Sequence, residues 1–197
     1  LTALFSKFLI ERAQLAGIEP SSYQRTVEAL VRAEADGGAG VDLTKADAIA
    51  QRVLRAYPEW FTTQDVAKAD LPKLLSGLDA LIARQAGSER EPIKHVIKQV
   101  LTSQTLAARA QGLKDSKIDP SWYAYLVQQR LADGQPAQAA EQFALTVLRE
   151  IGEVPAGKTS EQAAEWKQAR LTRAVLRHSP VVVAASALGA GQIDLTQ

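Results

Sequence analysis

Cysteine and methionine are both absent from the 197 residues, and histidine occurs only twice. Without thiols there is no disulfide framework and no thiolate nucleophile, and zinc would depend on those two histidines and on carboxylates. An excess of one charge sign is missing as well. Lys and Arg total 23 against 22 for Asp and Glu, a net +1 that argues against a dedicated polyanion binder. Glycine (12) and proline (8) are too sparse for a fibrous chain, and aromatic residues make up 6%. Long apolar runs are missing too: the longest is Val181 to Ala185, whereas a membrane span needs about 20 residues. The first 17 residues interleave Lys7, Glu11 and Arg12 with apolar side chains, an amphipathic pattern unlike a signal peptide. Cytoplasm is therefore the default expectation, with periplasm and secretion also compatible with a cysteine-free chain. What is present is a 46% hydrophobic fraction, enough for a globular core.

The apolar residues recur at helical spacing, and no alternating strand pattern appears. Leu4, Phe8, Leu9, Ala13 and Ala16 form a stripe with steps of three and four. Glu19-Pro20 starts a second helix, which Gly37-Gly38 stops. Thr44 with Asp47 is expected to open a third helix, and Pro58 to end it. Thr62 is expected to cap the next helix, with Phe61 and Val66 as a hydrophobic staple. Pro72 either breaks that segment or begins a new one. Ser88 and Glu91 read as a capping box for a helix reaching about Gln111. Further starts are Asp119-Pro120, Pro136, Thr159 with Gln162, and Ser179-Pro180, and Gly134, Gly152 and Gly189 are stops. The expectation is an all-α fold of nine or ten helices.

The sequence also resembles itself. The stretch from Leu4 to Gln14 shares six of eleven positions with Leu101 to Gln111, 97 residues later. Ile18-Glu-Pro-Ser-Ser-Tyr23 matches Ile118-Asp-Pro-Ser-Trp-Tyr123 at an offset of 100. Ala35-Asp-Gly37 matches Ala132-Asp-Gly134 at 97, Ala50 to Arg55 matches Ala144 to Arg149 at 94, and Thr62 matches Thr159 at 97. Five matches in the same order point to a tandem duplication of two four-helix modules. Residues 1–87 would form the first module and 88–197 the second, which begins with a connecting helix. Residues 121–148 resemble one tetratricopeptide-type hairpin through Leu126, Gly134, Ala139 and Phe143. That resemblance covers a single hairpin and implies stacked antiparallel helices.

Signatures of catalysis fail. No nucleophile elbow, zinc-protease, Walker or dinucleotide pattern is present. The segment Asp36 to Asp47 lacks the glycine and the ligands of a calcium loop. His95 with Lys98 one turn later resembles a histidine-phosphotransfer helix, although Gln99 stands where that family has glycine. His178 reads as the charge-compatible end of a helix. Neither a cofactor nor a metal site is expected. Lys167, Arg170, Arg173 and Arg177 share a helical face that could track phosphates or meet an acidic partner, but helix-dipole and neighbouring-glutamate interactions account for them more simply. The segment from Phe61 to Ala69 resembles the opening of a helix-turn-helix, with no basic recognition helix following. Trp60, Trp122 and Tyr125 are candidates for a partner surface. The first expectation is a non-catalytic scaffold or adaptor that binds a protein partner through a groove or face formed by the modules. A nucleic-acid binder using the basic stripe is the alternative, and a phosphotransfer carrier using His95 is the remote one.

Overall fold

Glu19 precedes Pro20, and its carboxylate accepts hydrogen bonds from the backbone N–H groups of Ser21 and Ser22 at 3.0 and 2.7 Å. Those are donors that the first turn of a helix leaves unpaired. One hundred residues later Asp119 does the same for Ser121 and Trp122, at 3.0 and 3.1 Å. At Thr159 the capping box forms in full, with reciprocal bonds to Gln162. Starts of this kind, together with the helical apolar stripes, give a chain with eight helices among the described residues. They are α1 (Ala3–Leu15), α2 (Pro20–Ala35), α3 (Leu43–Thr62), α4 (Leu71–Ala86), α5 (Glu91–Gly112), α6 (Pro120–Ala132), α7 (Ala137–Ile151) and α8 (Ser160–Arg177). The computed structural model describes residues 3–35, 42–62, 65–113, 115 and 117–178, and no strand occurs among them. The stops expected at Gly37-Gly38 and Gly189 and the helix expected from Ser179-Pro180 lie outside these residues.

Four local expectations are corrected. Pro58 does not end α3, which continues through it to Thr62. Proline removes one backbone donor and crowds the preceding turn, but Tyr57 and Trp60 pack against the core on either side of it and hold the last turn in place. Thr62 is consequently the end of a helix rather than a cap, and residues 66–69 form a turn in place of the expected helix. The match between Thr62 and Thr159 has no counterpart in the helix starts. The cap of α3 is Asp42, whose carboxylate accepts from the Lys45 N–H at 2.8 Å, rather than Thr44. Likewise α5 starts at Glu91 with its first bonds on the Arg90 carbonyl, not at Ser88. Glu89 is engaged elsewhere, with Lys45 at 3.2 Å and Arg52 at 3.1 Å.

The chain divides into two compact units, Leu1–Gly112 and Leu113–Gln197. In the first, α2 packs against α1, α3 and α5, and α4 packs against α3 and α5. Its core contains Leu9, Tyr23, Leu30, Ile49, Leu78 and Ile97, all 1% exposed or less. Arg109 is buried on α5 and donates from one guanidinium nitrogen to the Val66 and Ala69 carbonyls, both at 2.7 Å, which ties the 66–69 turn to that helix. A buried charge is tolerated only with such partners. In the second unit, α7 packs against both α6 and α8. Tyr123, Val127, Ala140, Ala144 and Val147 are fully buried there.

Candidate functional site

The second unit contains a pocket of about 280 Å³ where three chain segments meet. Its first wall is the start of α6. Asp119 caps that helix and places Trp122, half-buried, on the inward side. Its second wall is the end of α7. Gly152 adopts φ +72°, a left-handed conformation that glycine takes without strain, and it turns the chain out of the helix after Ile151. Its third wall is α8, through Lys167 and Leu171. The lining is mostly apolar: Trp122, Leu148, Ile151, Val154 and Leu171. Lys117, Asp119, Glu153 and Lys167 supply the polar edge. Lys167 Nζ lies 3.1 Å from an Asp119 carboxylate oxygen. Burial works against ionisation of Asp119, but the Trp122 N–H, the Lys167 ammonium and the Ser121 N–H outweigh it and hold the carboxyl below its ordinary range.

A shallower, open trough of about 810 Å³ adjoins the pocket and shares Trp122, Val154 and Lys167 with it. Its floor is the small-residue side of α8, including Ala163, Ala164 and Ala169. Tyr125 stands beside this region, 51% exposed, in an edge-to-face contact with Trp122 at 5.9 Å and 87°. Trp122 and Tyr125 are thus brought together. Trp60 belongs to the first unit, where it stacks on Tyr57 and packs against the core.

Most of the basic stripe has structural partners. Besides the Lys167–Asp119 pair, Arg177 meets Glu150 at 2.5 Å, His178 meets the other oxygen of Glu150 at 2.6 Å, and Arg170 lies 4.9 Å from the Trp166 ring centre. Arg173 is exposed and makes no ion pair among the described residues. It borders a small polar cleft of about 90 Å³ with Arg170, Arg177 and Glu150. Near His95, which is exposed on α5, Lys98 is engaged with Asp79 at 2.8 Å and Lys94 with Glu91 at 2.7 Å. No group of three or more metal-ligating side chains occurs among the described residues. No helix among them is long and apolar enough to cross a membrane.

Sequence reasoning missed Leu148, Ile151, Val154 and Leu171 as pocket residues. The available signal was the helix stop at Gly152, which leaves Val154 beyond the helix that carries Leu148 and Ile151. No protein-family model, curated protein or solved structure matches the chain.

Proposed function

We propose that the chain is a non-catalytic helical interaction module, built by duplication, that holds a protein partner on its second unit. Burial at matched positions supports the duplication. Both members of each matched pair are buried: Leu9 and Leu106, Ala13 and Ala110, Ile18 and Ile118, Tyr23 and Tyr123, and Val27 and Val127, with Leu106 and Ala110 lying on α5 of the first compact unit. The same holds for Ala46 and Ala140, Ala50 and Ala144, Val53 and Val147, and Leu54 and Leu148. The polar lock recurs too: the Tyr23 hydroxyl donates to Asp47, and the Tyr123 hydroxyl donates to Glu141. Each acceptor is the fifth residue of its helix, α3 or α7.

The observation that carries the interaction reading is the Trp122 pocket with its open trough, a concave, mostly apolar surface with a few polar groups at the edge. The test is capture from the native source on the immobilised chain, comparing wild type with Trp122→Ala, each checked for folding by circular dichroism. A protein retained by wild type and lost with the variant is the expected result, and the absence of any Trp122-dependent protein overturns the reading. The nucleic-acid alternative has less support, because Lys167 and Arg177 already pair with Asp119 and Glu150.

A further inference from the structure

The ends of α3 and α7 differ in one respect that bears on what the pocket holds. At the 94-residue offset that aligns the two helices, Tyr57, Trp60 and Phe61 correspond to Ile151, Val154 and Pro155. In the first unit the rings pack on one another, at 5.8 Å for Tyr57–Trp60 and 5.6 Å for Tyr57–Phe61. Trp60 also closes on α4 at Gly77, where an added Cβ would stand 3.2 Å from the indole nitrogen. In the second unit Gly152 ends the helix, the three positions carry no aromatic ring, and a pocket bordered by Ile151 and Val154 opens there.

We infer that the pocket beside Trp122 receives one aromatic side chain from a partner polypeptide, supplying in trans the kind of group that α3 supplies to the first unit. This rests on the duplication and interaction reading above. The size is sufficient: at the packing density of protein interiors, about 280 Å³ has room for an indole ring. The chemistry agrees as well. The Trp122 indole offers a stacking or edge-to-face wall, and the Lys167 ammonium at the rim is attracted to a ring face. The trough that shares Trp122, Val154 and Lys167 gives the main chain bearing the ring a path along the small residues of α8. A free aromatic molecule would need no such path.

The test uses the full chain labelled with nitrogen-15. Its three tryptophan indole N–H signals, from Trp60, Trp122 and Trp166, are assigned by single Trp→Phe variants. N-acetyl-tryptophanamide should shift the Trp122 signal saturably, with a Kd on the order of 1 mM for so small a probe, and leave Trp60 unmoved. N-acetyl-leucinamide should bind a few-fold to about tenfold more weakly, the margin an aromatic pair adds. Val154→Trp places a ring on the chain itself and should abolish the shift without lowering the melting temperature. Leu171→Phe, which narrows the pocket from α8, is the second variant. No Trp122 shift up to about 10 mM, equal binding of the leucine probe, or unchanged binding in both folded variants overturns the inference. A Trp122 shift that appears on concentrating the protein alone would make a second copy the occupant and also overturn it. Capture of a partner that survives Val154→Trp sinks the ring pocket and leaves the interaction reading standing. Ring binding without any captured protein supports the pocket's aromatic chemistry and sinks the interaction reading.

Discussion

α3 and α7 begin alike and end differently. Near each start a carboxylate accepts a hydrogen bond from the hydroxyl of a fully buried tyrosine, Asp47 from Tyr23 and Glu141 from Tyr123. One turn later come the same small and branched core residues, Ala50, Val53 and Leu54 in one helix and Ala144, Val147 and Leu148 in the other. Then α3 runs on to 20 residues and closes with stacked rings, whereas α7 stops at 15 with a left-handed glycine beside a pocket. The difference separates two kinds of constraint. A buried tyrosine hydroxyl and a buried carboxylate each need a partner, so the pair tolerates little change. A helix end that leads into a loop is free to lengthen or stop, and variation collects there.

The largest effect that probes this comparison comes from the matched leucines. Leu54→Ala should destabilise by about 3–5 kcal/mol, because Leu54 lies in a filled core. Leu148→Ala should cost less, about 2–3 kcal/mol, because Leu148 already borders the pocket and its removal extends a void rather than opening a new one. Urea unfolding of the two variants measures the difference. Equal losses would break the contrast between the filled core around Leu54 and the pocket beside Leu148.

Next in size are the tyrosine locks. Tyr123→Phe should cost about 1–3 kcal/mol by taking a donor from Glu141, which is 9% exposed. Tyr23→Phe should fall at the lower end of that range. Asp47 is less buried than Glu141, so its loss of a donor is better compensated by solvent. Burial opposes ionisation of Asp47, and Tyr23, Gln51 and Arg12 together hold its carboxyl below the ordinary range. Thermal melts of both variants check the order, and a larger loss at Tyr23 would reverse it.

The helix caps before the two prolines come third. Burial works against ionisation of Glu19, but the Ser21 and Ser22 hydroxyls and backbone N–H groups outweigh it and take its pKa from 4.5 to about 2. A carboxylate depressed in the folded state stabilises fully above its unfolded pKa, and that contribution fades as pH falls from about 4.5 toward 2. Glu19→Gln should therefore flatten the acid limb of stability in that window, and Glu19→Ala should cost about 0.5–2 kcal/mol at neutral pH. Stability measured from pH 7 down to 2 distinguishes the two effects. Asp119, which shares its other oxygen with Lys167, should show a loss on alanine substitution at least as large.

These helix starts were legible in the sequence because their parts lie close together along it, whereas the tyrosine locks join residues 24 and 18 positions apart and were not. Glu19-Pro20, Asp119-Pro120 and Thr159 with Gln162 complete their bonds within three residues. The readings at Thr62 and Ser88 used the same grammar and failed for tertiary reasons. Tyr57 and Trp60 packed α3 onward past Pro58, and Glu89 was drawn to Lys45 and Arg52 on α3. The pocket was less legible still. Trp122, Leu148, Val154 and Leu171 stand up to 49 positions apart and share no spacing, and what brings them together is a helix that stops early. Of the residues singled out for a partner surface, Trp122 and Lys167 line the pocket, Tyr125 stands against Trp122, and Trp60 packs on the core of the other unit.

The smallest effects belong to the basic stripe, and they bear on whether it serves the fold or a ligand. Arg177→Ala should cost about 0.5–1 kcal/mol, since it removes an ion pair to a half-exposed Glu150 that His178 still contacts. Arg173→Ala should change stability by less than about 0.5 kcal/mol, because its exposed side chain makes no ion pair among the described residues. If the stripe serves the fold, neither variant alters binding to a phosphate-bearing polymer at low salt. A salt-dependent affinity that falls with Arg173→Ala while stability stays constant would identify Arg173 as a phosphate contact instead. That outcome would move the functional face of the second unit from the pocket side of α8 to its arginine side.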